Sequence, residues 1–241
     1  MPLHESDSII LKTYPLAEAD RIVVFFSRDY GKLRGVANGV RRLKSRFGAS
    51  LEPMAQSRVT FFQKETQELV RIRSTELIDS PMKLLKDYDR AVAASQLADL
   101  VDRFLPDHDK QDAVFRLFAL TRQSLIQGLP LELVRCYFEV WMLRLAGVLP
   151  DLFVCSGCNR PLMGGEARVL LPGLKQVACR KCALDRGTEV ASSTIGALHW
   201  VLTNKLDAGE GATDPGRFPS DEGLQHILQL NKLWIDHFFE R

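Results

Sequence analysis

Apolar residues fall in short runs through the first part of the chain and recur at three- and four-residue steps through the rest. Residues 8–14, 21–27, 32–37, 58–63 and 69–77 are rich in Ile, Val, Phe and Thr, and most are separated by turn residues such as Asp29-Tyr30-Gly31. That composition and spacing predict strands. The run Ile22-Val23-Val24-Phe25-Phe26 is continuously apolar, as a strand covered on both faces would be. Val70-Arg71-Ile72-Arg73 alternates instead, which sets Arg71 and Arg73 opposite Val70 and Ile72. Five strands within residues 1–80 predict a compact barrel, and residues 38–56 are too long a link for a hairpin. A five-stranded barrel with a long third connection fits the OB type, which in many proteins binds oligonucleotides.

Beyond this the period becomes helical. Ser80 suits a cap and Pro81 a first helical position. Leu84, Leu85, Tyr88, Val92, Leu97, Leu100, Val101 and Leu105 then recur at helical spacing up to Pro106. Residues 114–126 and 131–145 repeat the pattern, divided by Gly128-Leu129-Pro130 and closed by Gly147 and Pro150. Three amphipathic helices with short links predict a bundle. Residues 192–206 and 221–239 predict two more helices, and the Gly, Asp and Pro content of 207–219 predicts a mobile loop. The expected class is α+β, in four pieces: an OB-type barrel at 1–80, the first part of a helical bundle at 81–150, a cysteine-bearing module at 151–190, and C-terminal helices at 191–241 that complete the helical domain.

Composition adds two exclusions and one pointer. With 241 residues, 46% hydrophobic and 26% charged, the chain is apolar enough to fold. No apolar run approaches the roughly 18 residues of a membrane span, the longest being broken by Glu139 and Arg144. The start, Met1-Pro2-Leu3-His4-Glu5-Ser6-Asp7, lacks the basic-then-apolar order of a secretory signal, so a cytoplasmic protein is expected. The net charge of +2 argues against a polyanionic partner only until it is resolved along the chain. Residues 28–46 carry Arg28, Lys32, Arg34, Arg41, Arg42, Lys44 and Arg46 against Asp29 alone, and the last fifty residues are net acidic. Screening confines each charge to about 8–10 Å, so the local excess and not the total decides what is attracted. Together with strand arginines, the candidate DNA-binding set is Arg21, Lys32, Arg34, Arg41, Arg42, Lys44, Arg46, Arg71 and Arg73. Tyr30, Phe47, Phe61 and Phe62 are candidate stacking residues, with burial in the core as their alternative fate.

Cys155-Ser156-Gly157-Cys158 and Cys179-Arg180-Lys181-Cys182 are two C-x-x-C pairs with twenty residues between them, the arrangement of a structural zinc site. Gly157 relieves the first turn sterically. The intervening Gly164-Gly165, strand-like 167–171 and Pro172-Gly173 resemble a zinc ribbon hairpin. Four thiolates leave no open position, so one structural Zn²⁺ per chain, held by Cys155, Cys158, Cys179 and Cys182, is expected. Two disulfides would require an oxidising compartment. Arg168, Lys175, Arg180 and Lys181 of this module either touch DNA, toward which their charge leans, or solvate the module. Cys136 falls within a helical pattern as a small buried hydrophobe.

No spacing of catalytic residues is found: the chain has no G-x-x-x-x-G-K-[ST], H-E-x-x-H or G-x-S-x-G, and its five histidines are scattered. Asp99 and Asp102 share a helical face, so a metal-dependent nuclease is one alternative to a non-enzymatic binding protein. A protein adaptor with an incidental basic loop is another.

The stretch Ala19-Asp20-Arg21-Ile22-Val23-Val24-Phe25-Phe26-Ser27-Arg28-Asp29-Tyr30-Gly31-Lys32-Leu33, running into Gly39-Val40-Arg41-Arg42-Leu43-Lys44-Ser45-Arg46, resembles the N-terminal domain of the bacterial RecO recombination mediators. Phe138-Glu139 and Leu145-Ala146-Gly147-Val148-Leu149-Pro150, followed by the Cys155 pair, are similar to that family's central helical region. The likeness covers most of residues 7–190 and weakens in the last fifty. It implies a nucleoid-associated protein of DNA repair that binds single- and double-stranded DNA, anneals complementary strands and contacts RecR and single-strand-binding protein. By those contacts it would help RecA onto coated strands.

Overall fold

Strand pairing carries the first strand back to the last. The computed structural model describes residues 2–16, 18–42, 45–63, 68–164, 166–173, 176–206 and 218–240. In it β1 (Leu3–Pro15), β2 (Arg21–Ser27), β3 (Gly31–Ala37), β4 (Gln56–Phe62) and β5 (Leu69–Asp79) form a closed barrel in the order β1-β2-β3-β5-β4. All pairs are antiparallel except β3 and β5, and the long third connection, with one 3-10 turn at Gly48–Leu51, carries the chain past the place of β5 to β4, between β5 and β1. β1 begins five residues before its expected start. Its first half, Leu3 to Ile9, pairs with β4, and the polar His4-Glu5-Ser6-Asp7 hid a strand that needs no apolar alternation there. A register shift between Ile10 and Lys12 bends β1 from one partner to the other.

Ile10, Val23, Phe25, Leu33, Val59, Phe61, Val70 and Ile72 fill the barrel, with the Phe25 and Phe61 rings edge-on at 5.8 Å. Val24 and Phe26, on the outer face of β2, are buried as well, because helices cover that face and Phe115 meets Phe26 at 5.5 Å. Two-sided burial is what the unbroken run implied. On β5, Arg71 and Arg73 are exposed beside buried Val70 and Ile72, as the alternation implied.

The helix expected without interruption from Pro81 to Leu105 is two: α1 (Met82–Leu85) and α2 (Tyr88–Phe104). Asp87 between them is extended, and its carboxylate accepts the Arg90 N–H at 3.2 Å, starting a new helix. α3 (Asp112–Gln127) follows. Its Arg122, 1% exposed, donates to the Met54 carbonyl at 2.6 Å and to the Asp79 carboxylate at 2.7 Å, bolting the helix to β5. Gly31 (φ +72°) admits the approach of residues 107–110, since a Cβ there would lie 2.1 Å from the Asp109 carbonyl oxygen. The change of period at Pro81 therefore marks the end of the strands, while the compact unit they belong to runs on to Ile126.

Residues 127–241 form a second unit. α4 (Leu131–Leu145), α6 (Ser192–Thr203) and α7 (Asp221–Phe239) pack together, with the Trp141 indole donating to the Val201 carbonyl at 3.2 Å. Cys136 is buried within α4, as expected, and burial raises its thiol pKa. A three-stranded sheet has β6 (Arg168–Leu170) between β7 (Val177–Cys179) and β8 (Thr188–Val190), and the turn α5 (Arg180–Ala183) follows β7. The sequence pattern missed β8, whose three residues are too short to show a period. Most of the link expected to be mobile, 207–217, lies outside the described residues. Among the described residues no helix is long and apolar enough to cross a membrane.

Candidate nucleic-acid interface and metal centre

Cations of the first unit divide into two groups. Lys32 and Arg34 project from the outer face of β3, the face shared with Val24 and Phe26 and covered by helices. Lys32 is 4% exposed, and its ammonium reaches Asp102 at 3.1 Å, Asp107 at 3.1 Å and the Asp102 carbonyl at 2.5 Å. Arg34 pairs with Asp107 at 3.1 Å and Asp102 at 3.3 Å, and Lys12 with Asp99 at 2.6 Å and Asp102 at 3.2 Å. Burial alone would raise the Asp102 pKa, but hydrogen bonds from Lys32 and Lys12 outweigh it and hold the carboxyl below its ordinary value. Two sequence readings change here. Lys32 is enclosed as placed and cannot meet a phosphate, and Asp99 and Asp102 are neutralised by cations rather than free to bind a metal.

The second group stays at the surface. Arg41, Arg42 and Arg46 are exposed on the third connection, with the Arg46 guanidinium 4.9 Å above the buried Phe47 ring. Arg71 and Arg73 are exposed on β5, and β3–β5 pairing sets Arg71 beside Val36 at the root of that connection. Asn38 and Arg71 line one hollow of about 660 Å³ there. Arg21 is half-buried, 3.7 Å from Glu52. Lys44 lies outside the described residues. Phe47 and Phe61 are core residues and Tyr30 packs edge-on against Phe61. Phe62 is part-exposed, with the Arg73 guanidinium 5.9 Å from its ring centre.

In the second unit, the sheet and two turns converge on the cysteines. Their four sulfurs lie within 4.8 Å of one another, against about 3.8 Å for a regular tetrahedron of Zn–S bonds. Cys155 opens a turn in which Asn159 N–H bonds the Cys155 carbonyl at 2.8 Å, and Ser156 N–H anchors that turn to β7 at 2.8 Å. The second pair spans the end of β7 and α5. A Cβ on Gly157 would lie 2.8 Å from the Cys182 Cβ, so only glycine permits this approach. Burial opposes ionisation of Cys155, yet N–H groups of Cys179, Cys158 and Gly157 overcome it and bring the thiol down to about 6. Cys182, bonded to the other sulfurs, is pushed up to about 12. Four thiols this close cannot all ionise unless a cation joins them, so the donor set fits a soft divalent metal. Arg168 is no candidate for DNA contact: it is buried and donates to the Leu152, Leu162, Met163 and Glu166 carbonyls, stapling the module together. Arg180 and Lys181 are exposed. Lys175 lies outside the described residues.

A family model described as Recombination protein O N terminal matches residues 1–81, and one described as Recombination protein O C terminal matches 85–228. The chain belongs to the RecO family. Relatives of this RecO-family chain include DNA repair protein RecO of Koribacter versatilis (strain Ellin345), 43% identical over 66% of this chain and 65% of the relative. RecO proteins of Streptomyces avermitilis and Cutibacterium acnes are each 32% identical, over 93% and 86% of this chain and 92% and 85% of their own lengths. RecO membership supports a role in DNA repair and recombination. Sequence patterns gave no sign of Asp107 and Arg122 as structural partners, because their contacts span 73 and 43 residues.

Proposed function

We propose that this RecO-family chain is a non-enzymatic recombination mediator that binds single- and double-stranded DNA and anneals complementary strands. The observation that carries this reading is the exposed arginines, Arg41, Arg42 and Arg46 on the third connection and Arg71 and Arg73 on β5, with the part-exposed Phe62 ring 5.9 Å from the Arg73 guanidinium. Guanidinium groups neutralise phosphates and release condensed counterions, which gives affinity without reading sequence. A strand held by its backbone keeps its base edges free for a complement. Phe62 beneath Arg73 offers one base a stacking face. The mediator reading extends to partners: RecR, single-strand-binding protein, and through them RecA at coated strands. Cys155, Cys158, Cys179 and Cys182 would hold one Zn²⁺, whose role is to fix the module's fold.

An annealing assay with complementary strands, bare and coated with single-strand-binding protein, tests the reading. The chain should accelerate duplex formation on both without nucleotide hydrolysis, and the strands should remain full length in Mg²⁺. Binding without annealing would leave an ordinary OB-type binding protein, and cleavage of the strands would replace the mediator with a nuclease.

A further inference from the structure

The basic connection is held at its root by an acidic residue. Asp20, in the turn between β1 and β2, accepts the Gly39 N–H on Oδ1 at 2.8 Å. The neighbouring Ala19 carbonyl accepts the Arg41 N–H at 3.1 Å, and the Asp20 carbonyl accepts Leu16 N–H at 3.1 Å, closing the turn. Gly39 has φ +75°, a left-handed conformation that few other residues adopt. From there the chain turns back, with Arg42 N–H bonding the Gly39 carbonyl at 3.2 Å and Ser45 N–H the Arg42 carbonyl at 3.0 Å. The conformation leading into Arg41 and Arg42 is thus fixed by the adjoining β1–β2 turn, since Arg21 at the start of β2 pairs with Ala37 at the end of β3.

Asp20 forms no ion pair among the described residues. Among the described residues the Gly39 N–H is the one hydrogen-bond partner of the Asp20 carboxylate, and that contact holds the charge close to Arg41 and Arg42, two and three residues further on. A negative charge there repels a polyanion, so its presence makes physical sense only if the geometry it imposes outweighs that repulsion.

We propose that Asp20 is a positioning residue for DNA binding: by holding Gly39 it presents Arg41 and Arg42 to phosphates. The proposal rests on the reading that this segment contacts DNA. It makes a prediction opposite to simple electrostatics. Asp20→Ala removes a negative charge and should still weaken binding of a single-stranded oligonucleotide, about fivefold, the scale of one ordinary hydrogen bond. Asp20→Asn keeps an acceptor for the Gly39 N–H and removes the charge, so it should bind as well as the unmodified protein or more tightly. Amide exchange at Gly39 and Arg41 should quicken in Asp20→Ala and not in Asp20→Asn.

Unchanged or tighter binding by Asp20→Ala would overturn the proposal, and so would equal losses in the two variants. Arg41→Ala/Arg42→Ala on the same oligonucleotide separates the two claims. If that pair weakens binding while Asp20→Ala does not, the positioning role alone falls. If that pair has no effect, the DNA-contact reading of the segment falls and takes the proposal with it.

Discussion

Lys32 and Arg34 on β3 and Arg41, Arg42 and Arg46 on the connection that follows belong to one basic stretch, and they have opposite fates. The first two face carboxylates brought up by α2 and the segment after it, Asp102 and Asp107, at about hydrogen-bond distance. The other three remain exposed. Residue type is the same in both, so the difference lies in what a distant element delivers. Cations that meet a buried carboxylate hold the fold, and those left in water can serve a ligand.

That division can be sharpened by removing members of each class. The largest effect belongs to groups that only fold the chain. Chelating the metal, or Cys155→Ser, should unfold residues 151–190, since structural zinc contributes on the order of 10 kcal/mol in small modules. Barrel amides should remain protected in hydrogen exchange. Metal analysis of the intact chain should return about one ion, and none would refute the site.

Lys32→Ala should come next, at about 3 kcal/mol in chemical denaturation, because it strips a partner from Asp102 and Asp107 in a largely buried setting. Lys12 and Arg34 still neutralise Asp102 and keep the loss at the low end.

Glu139 tests burial of charge without a close cation. It lies on α4, nearly buried, with the Asn231 amide donating at 3.2 Å and Arg135 only at 3.8 Å. Burial pushes its carboxyl up to about 7, against the pull of Arg135 and Asn231. The folded state therefore keeps a proton that the unfolded chain releases near 4.5. Stability is fully present below pH 4.5 and falls as pH rises toward 7, by up to about 3 kcal/mol. Glu139→Gln should flatten that stretch of the stability curve, and an unchanged slope would locate the dependence elsewhere. Smallest of all, Arg41→Ala/Arg42→Ala/Arg46→Ala should leave stability within about 0.5 kcal/mol.

The barrel was legible because its signals are local. Two-sided burial of β2 follows from an unbroken apolar run, and the outward Arg71 and Arg73 follow from period two. The cysteine cluster was legible from spacing, since two turns and a hairpin bring the four sulfurs together. The break at Asp87 was readable in principle, because an Asp three residues before Arg90 is a cap, but the continuing apolar spacing concealed it. The fate of Lys32, the buried staples Arg122 and Arg168, and the hold of Asp20 on Gly39 depend on tertiary contacts that no local pattern encodes. For the same reason charge counting located the basic segment and could not sort its members into buried and exposed.

Salt dependence of single-strand binding tests the division most directly. With about four to six phosphates contacted, log K against log salt should slope near −3 to −4. The variant Arg41→Ala/Arg42→Ala/Arg46→Ala should flatten it by about 2, at about 0.7 per phosphate, while folded Lys32→Ala keeps the slope of the unmodified protein. A triple variant with an unchanged slope, or a Lys32→Ala variant that flattens it equally, would contradict the assignment of these cations.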